Sequence, residues 1–158
     1  MSVEAGWGHQ YLADVRPGQV LLDPGEQLAV QQALVRYAFA LDQHDVAALA
    51  SVLTDDATWR FRIAGDRGSE PVVGRAAILD LVRASIADET VQRRHNLANV
   101  VFRSADADTA LVQAYLMLTS NAGGGSSLVA TGFYTFRLER ADGEWRIAEL
   151  LLGTDNAW

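Results

Sequence analysis

His95 is the side chain of this sequence best suited to moving protons. It lies in Thr90–Phe102, flanked by Arg93, Arg94 and Asn96 and followed by an apolar run. Of the three histidines it alone sits in a periodic pattern, because His9 falls in a glycine-rich leader and His44 in a polar turn. An unperturbed imidazole titrates at about pH 6.5, so it can take and release a proton near neutrality. As a base it needs a carboxylate on its far nitrogen, which sets the tautomer and stabilises the imidazolium. The candidates are Asp42, Asp55, Asp56, Asp80 and Glu149. Asp55 and Asp56 read as turn residues, and Asp80 and Glu149 as solvated members of amphipathic elements. Asp42 differs. It closes an otherwise apolar helix, against the helix dipole, where its charge calls for a nearby cation.

Composition narrows the chemistry. The 13 basic residues are all arginine, so a lysine Schiff base is excluded, and with no cysteine so are thiolate nucleophiles and disulfides. The histidines lack paired ligand spacing, so no metal site and no cofactor are expected. Net charge is −7 with scattered arginines, which argues against nucleic acid as a partner. No segment approaches the roughly 20 apolar residues of a membrane helix, and the N-terminus lacks the basic and apolar regions of a signal peptide. A cytoplasmic protein with no membrane partner is the expectation.

The elements that must position His95 follow from periodicity. From Glu26, Leu28, Ala33, Leu34, Tyr37, Ala38 and Leu41 recur at helical spacing. Asp42–Asp45 ends that helix, and Asp45 is placed to cap a second one, Val46–Leu53. Thr54–Asp56 reads as a turn. In 57–63 strict alternation puts Ala57, Trp59, Phe61 and Ile63 on one strand face. Residues 64–73 read as a loop or short ribbon, and a third helix follows Gly74-Arg75 through Ile86. Strands are expected at Thr90–Phe102, 109–120, 127–140 and 144–152, the later ones joined by glycine-containing connections. On the first of these, His95, Leu97 and Asn99 share a face. Helices ahead of an antiparallel meander give an α+β fold with the helices on one face of a curved sheet. Strands 109–120 and 144–152 are apolar on both faces, which points to a homodimer. The domain spans 26–152, between an N-terminal extension (1–25) and a C-terminal tail (153–158).

Ordered motifs carry a family resemblance. Tyr37-Ala-Phe-Ala-Leu-Asp42, Asp45-Val-Ala-Ala-Leu49, Asp55-Asp-Ala-Thr-Trp59, Gly74-Arg-Ala-Ala-Ile78, His95-Asn-Leu-Ala-Asn99, Gly132-Phe-Tyr-Thr-Phe136 and Asp142-Gly-Glu-Trp-Arg146 together resemble the SnoaL-like branch of the NTF2-like superfamily. The resemblance covers residues 26–152. It implies a conical α+β barrel, a curved antiparallel sheet around three helices enclosing an apolar pocket. The most similar members are cofactor-free dehydratases and dehydrohalogenases of the scytalone dehydratase, bile-acid 7α-dehydratase and hexachlorocyclohexane dehydrochlorinase type. By that likeness Asp42 and His95 are the catalytic pair, Tyr37 a catalytic hydroxyl, and Trp59 and Tyr134 pocket aromatics. Phe61 and Tyr115 join them as pocket wall, and Asn99 as a group able to polarise a substrate oxygen.

The resulting expectation is a dehydratase-like lyase or cyclase acting on an apolar oxygenated small molecule, such as a polyketide or terpenoid intermediate. A ring-forming enzyme governed by pocket shape and a non-enzymatic binding or dimerisation module are the alternatives. Helix geometry sets one test. Tyr37 and Asp42 are five residues apart, about 140° around a helix. Both can serve one site only if it wraps the helix end or if the helix unwinds near Leu41.

Overall fold

The computed structural model describes residues 16–64 and 68–157. Helix α1 spans Pro24–Asp42; Asp23 caps it by accepting from the Glu26 N–H at 2.9 Å, and Pro24 opens the first turn. Helix α2 is Val46–Ser51, capped by Asp45 through the Ala48 N–H at 2.9 Å. Strand β1, Leu53–Ile63, and the two-residue β2, Val72–Val73, precede α3, Arg75–Ile86. The long strands β3 (Gln92–Ala105), β4 (Thr109–Ala122), β5 (Gly125–Ala141) and β6 (Glu144–Thr154) follow.

The strands form one curved sheet in the order β2-β1-β6-β5-β4-β3, antiparallel except for the parallel β1–β6 pair. This is the expected α+β architecture, but the sheet does not close into a barrel: β2 and β3 remain its edges. Register places Phe102, Val112, Phe136, Leu150 and Trp59 side by side across β3, β4, β5, β6 and β1. The next inner row holds Ala114, Tyr134, Leu152 and Phe61. Val30, Leu34 and Tyr37 of α1 and Ile78, Leu79 and Val82 of α3 complete one continuous core with these rows. Sequestering such side chains from water, at about 25 cal/mol per Å² of apolar surface, is what holds the helices to the sheet.

Several boundaries differ from the sequence expectations. Thr54–Asp56 lie in β1, not in a turn; the register slips between Leu53 and Thr58, and Thr54 Oγ1 donates to Asp56 Oδ1 at 2.9 Å. The irregularity lets two acidic residues point to solvent inside a strand. Helix α2 stops at Ser51 because Leu53 already belongs to that strand. Leu28 is 57% exposed and Val30 fully buried, so the inner stripe of α1 runs from Val30. The domain edges also move: α1 takes in Pro24 and Gly25, and β6 runs on to Thr154. Most of the N-terminal extension, 1–15, lies outside the described residues, while Leu21 N–H bonds to Ala105 O at 2.8 Å. The β4–β5 connection tightens to Gly123-Gly124, both at positive φ, as a two-residue hairpin turn of this hand requires.

Candidate active site

The end of α1 meets the start of β3, and there Asp42 holds His95 twice. The carboxylate accepts the His95 backbone N–H, at 3.1 Å to Oδ1 and 3.0 Å to Oδ2. It also accepts from the imidazole, with Nδ1 2.6 Å from Oδ1. A carboxylate can only accept, so Nδ1 carries a proton and neutral His95 presents a bare Nε2 lone pair. Side-chain exposure is 8% for Asp42 and 14% for His95, a buried anchor beneath a ring that retains an opening. The acid at the unfavourable end of the helix dipole is thus stabilised by two donors of β3.

A second layer fixes this pair, and the sequence did not single it out. Gln92 Nε2 donates to the backbone carbonyl of Asp42 at 2.7 Å, and Asn121 Nδ2 to the carbonyl of Gln92 at 2.9 Å. Two residues on, His44 Nε2 lies 2.9 Å from Glu89 Oε2, and Arg93 pairs with the same carboxylate. Beyond the Asp42–His95 pair, the end of α1 and the turn after it are therefore tied to the start of β3 and the segment before it at two places, Gln92 and Glu89. These contacts run through backbone carbonyls and a turn, which leave no periodic trace.

Tyr37 and Asp42 both face the interior, at 2% and 8% exposure, although α1 stays helical through Asp42. The site wraps the helix end. The Tyr37 ring lies edge-on to Trp59, Tyr134 and Phe136, each with centroids 5.8 Å away. Phe61, half-buried, stands edge-on to Trp59 at 5.9 Å. Burial first, then the adjacent Tyr134 and the Asp42 charge, pushes the Tyr37 hydroxyl well above its ordinary value. Burial likewise raises Tyr134, the neighbouring Tyr37 hydroxyl acts against that rise, and the Asp42 charge adds to it. Both stay protonated through the physiological range. Trp59, 4% exposed, carries a buried indole N–H with no partner. Such a group costs on the order of 1–3 kcal/mol and is rare in folded proteins.

Two expected members are not brought to this site. Asn99 adopts φ +51° where the β3–β4 register slips between Ala98 and Val101, a bulge that inverts the strand's alternation. It turns to the outer, convex face. Tyr115 also lies there, 58% exposed, on the face opposite Ala114 and Tyr134. Both line a cavity of about 530 Å³ with Met117, Thr131, Phe133 and Asp155. Another cavity, of about 380 Å³, lies beside Glu26, Arg36, Arg140 and Trp145 near the start of α1. Among the described residues no three histidine or acidic side chains converge to hold a metal. No helix among them is long and apolar enough to cross a membrane.

Comparison with known proteins agrees with this architecture. No curated protein matches the chain. Solved structures do. Rv3472 of Mycobacterium tuberculosis, a protein of unknown function, is 26% identical over 84% of this chain and 73% of its own, with a TM-score of 0.72. Aln2 of a Streptomyces species is 26% identical over 85% of this chain and 94% of its own, with a TM-score of 0.73. A Nostoc punctiforme protein with a cystatin-like fold shares 16% identity over 86% and 96% of the two chains at a TM-score of 0.73, a likeness of fold alone. The model of the SnoaL-like domain matches residues 26–150, from the first turn of α1 to within β6, and the chain belongs to that family.

Proposed function

We propose that this protein is a cofactor-independent acid–base lyase or cyclase, dehydratase-like, acting on an apolar oxygenated small molecule of the polyketide or terpenoid kind. The observation that carries the reading is the Asp42–His95 pair, which leaves Nε2 as a bare base at the edge of an aromatic interior. In an elimination, Nε2 takes the proton α to a carbonyl and the electron pair moves onto the carbonyl oxygen, where a tyrosine hydroxyl hydrogen-bonds it. The pair then returns to form the C=C bond as the β-hydroxyl departs. The imidazolium gives its proton to that hydroxyl, so water leaves and the ring is restored. In a cyclisation the same carbanion attacks a second carbonyl carbon of the substrate, and the imidazolium protonates the resulting alkoxide. A positioned base of this type contributes roughly 10²–10⁴-fold, and orientation in a site shielded from water adds to it.

Proton abstraction is testable without the natural substrate. Methyl naphthyl ketone incubated with the protein in heavy water is expected to gain deuterium at its methyl group. The gain is followed by proton NMR and falls to background in His95→Ala. A folded His95→Ala protein that exchanges as fast as wild type rules out the base. The interlocked rings of Tyr37, Trp59, Tyr134 and Phe136 favour the second reading, a cyclase governed by pocket shape. Under it, Asp42→Asn costs little and a bulkier residue beside Trp59 costs much.

A further inference from the structure

Trp59 and Trp145 are both buried indoles, and their N–H groups fare differently. The Trp145 Nε1 donates to Glu26 Oε2 at 2.7 Å, as a buried indole ordinarily finds an acceptor. That of Trp59 has none. Register puts Trp59 on the concave face between Ala57 and Phe61, and its ring touches Tyr37 and Phe61. Of the two rings it touches, Phe61 has no acceptor and the Tyr37 hydroxyl does not take its hydrogen bond. Burial keeps the Tyr37 and Tyr134 hydroxyls in the neutral, proton-bearing form. Away from Trp59 the same strand face becomes more open: Phe61 is half-buried and Ile63, at its end, is 41% exposed.

What this interior lacks is an acceptor oxygen on an otherwise apolar body. The same surroundings select its charge. Asp42 already disfavours negative charge at Tyr37 and Tyr134, so a carboxylate entering beside them would meet repulsion as well as loss of its hydration. A neutral carbonyl meets neither. We propose that Trp59 is a ligand-binding residue whose indole N–H receives a neutral carbonyl oxygen, so that the protein selects ketones, aldehydes or lactones over carboxylates of the same shape. The inference rests on the acid–base reading for the location of the site, and to the carbonyl substrate of that reading it adds a neutral carbonyl oxygen held at Trp59 and a bias against carboxylates.

The experiment uses the whole protein, labelled with nitrogen-15, and three ligands of one shape. They are methyl naphthyl ketone, its isopropenyl counterpart in which CH₂ replaces the oxygen, and naphthoate. The Trp59 indole resonance is assigned by its through-space contacts to the Tyr37 ring, which needs no variant. The ketone is expected to move that resonance downfield and to bind about tenfold tighter than the alkene, the factor that 1.4 kcal/mol of hydrogen bonding gives. Naphthoate is expected to bind more weakly than the ketone. In Trp59→Phe the ketone falls to the alkene's affinity while the alkene is unchanged. A ketone no tighter than the alkene, a carboxylate that binds best, or a bound ketone that leaves the Trp59 resonance unmoved overturns the proposal; these comparisons stand on wild type alone if the variant does not fold. Failure of the base reading looks different: His95→Ala then keeps full deuterium exchange, with the Trp59 shift intact.

Discussion

Replacing Asp42 with asparagine keeps shape and removes one acceptor, and the geometry dictates the consequence. Two donors of His95, the backbone N–H at 3.0–3.1 Å and Nδ1 at 2.6 Å, converge on the carboxylate. An amide must set its NH₂ against one of them. The backbone donor cannot change, but the ring can: it moves its proton to Nε2 and accepts at Nδ1. The variant therefore folds with the wrong tautomer, and Nε2 loses the lone pair the reaction needs. Stability falls by about 1–2 kcal/mol, since a charge-assisted bond is lost but the desolvation cost of a buried charge goes with it. The rate falls by about a thousand- to ten-thousand-fold, the scale seen when another histidine base is put in the wrong tautomer. Urea unfolding reads the first quantity, and methyl deuteration of the naphthyl ketone reads the second. A folded Asp42→Asn protein exchanging within about threefold of wild type refutes the argument, because a tautomer switch of this kind cannot be so mild.

Three further outcomes follow from other parts of the molecule. Tyr37 and Tyr134 keep their protons in the folded state while the unfolded chain ionises them near pH 10. Their contribution to stability is therefore complete below about pH 10 and is lost above it, by about 1.4 kcal/mol per pH unit for each; urea midpoints measured from neutral to strongly alkaline pH check this, and Tyr37→Phe removes one share of the slope. Gly132→Ala would bring a Cβ to 2.1 Å from the Gly153 carbonyl oxygen and 2.8 Å from Thr154 Cα, so β5 and β6 must part. A loss of about 1–3 kcal/mol is expected, read as a lowered melting temperature. On the convex face Tyr115 and Met117 are exposed at 58% and 48%, and we propose this as the homodimer surface. Wild type then sediments at twice the 17.1 kDa chain mass and Met117→Arg at that mass itself; a monomeric wild type removes the proposal.

Period-two and helical patterns made the order of elements legible in the sequence, because burial on one face repeats along the chain. The α1–α2 turn, the Ala57–Ile63 alternation and the two glycine-containing hairpins all register in residue type. The pattern misleads where the backbone departs from it. Counting alternate residues from His95 puts Asn99 on the inner face, yet the bulge at φ +51° turns it outward, and nothing in Ala98-Asn99-Val100 announces it. Thr54-Asp55-Asp56 has turn composition and strand conformation, since an irregular register tolerates exposed acids. The 140° between Tyr37 and Asp42 looked like an obstacle. It is met without unwinding, because Asp42 is the last residue of α1 and β3 crosses just there. Gln92 was not legible at all. Its partner is a backbone carbonyl, an acceptor every residue carries.

The account turns on which nitrogen of His95 holds the proton. Nitrogen-15 NMR of the histidine ring, recorded on the ligand-free protein at alkaline pH, answers that directly. With Asp42 accepting from Nδ1 at 2.6 Å, Nδ1 is expected to show the signature of a proton-bearing nitrogen with a downfield, slowly exchanging proton, and Nε2 that of a bare one. In Asp42→Asn the two signatures exchange places. A wild-type ring with its proton on Nε2, or averaging between the two nitrogens, contradicts the assignment of His95 as an oriented base.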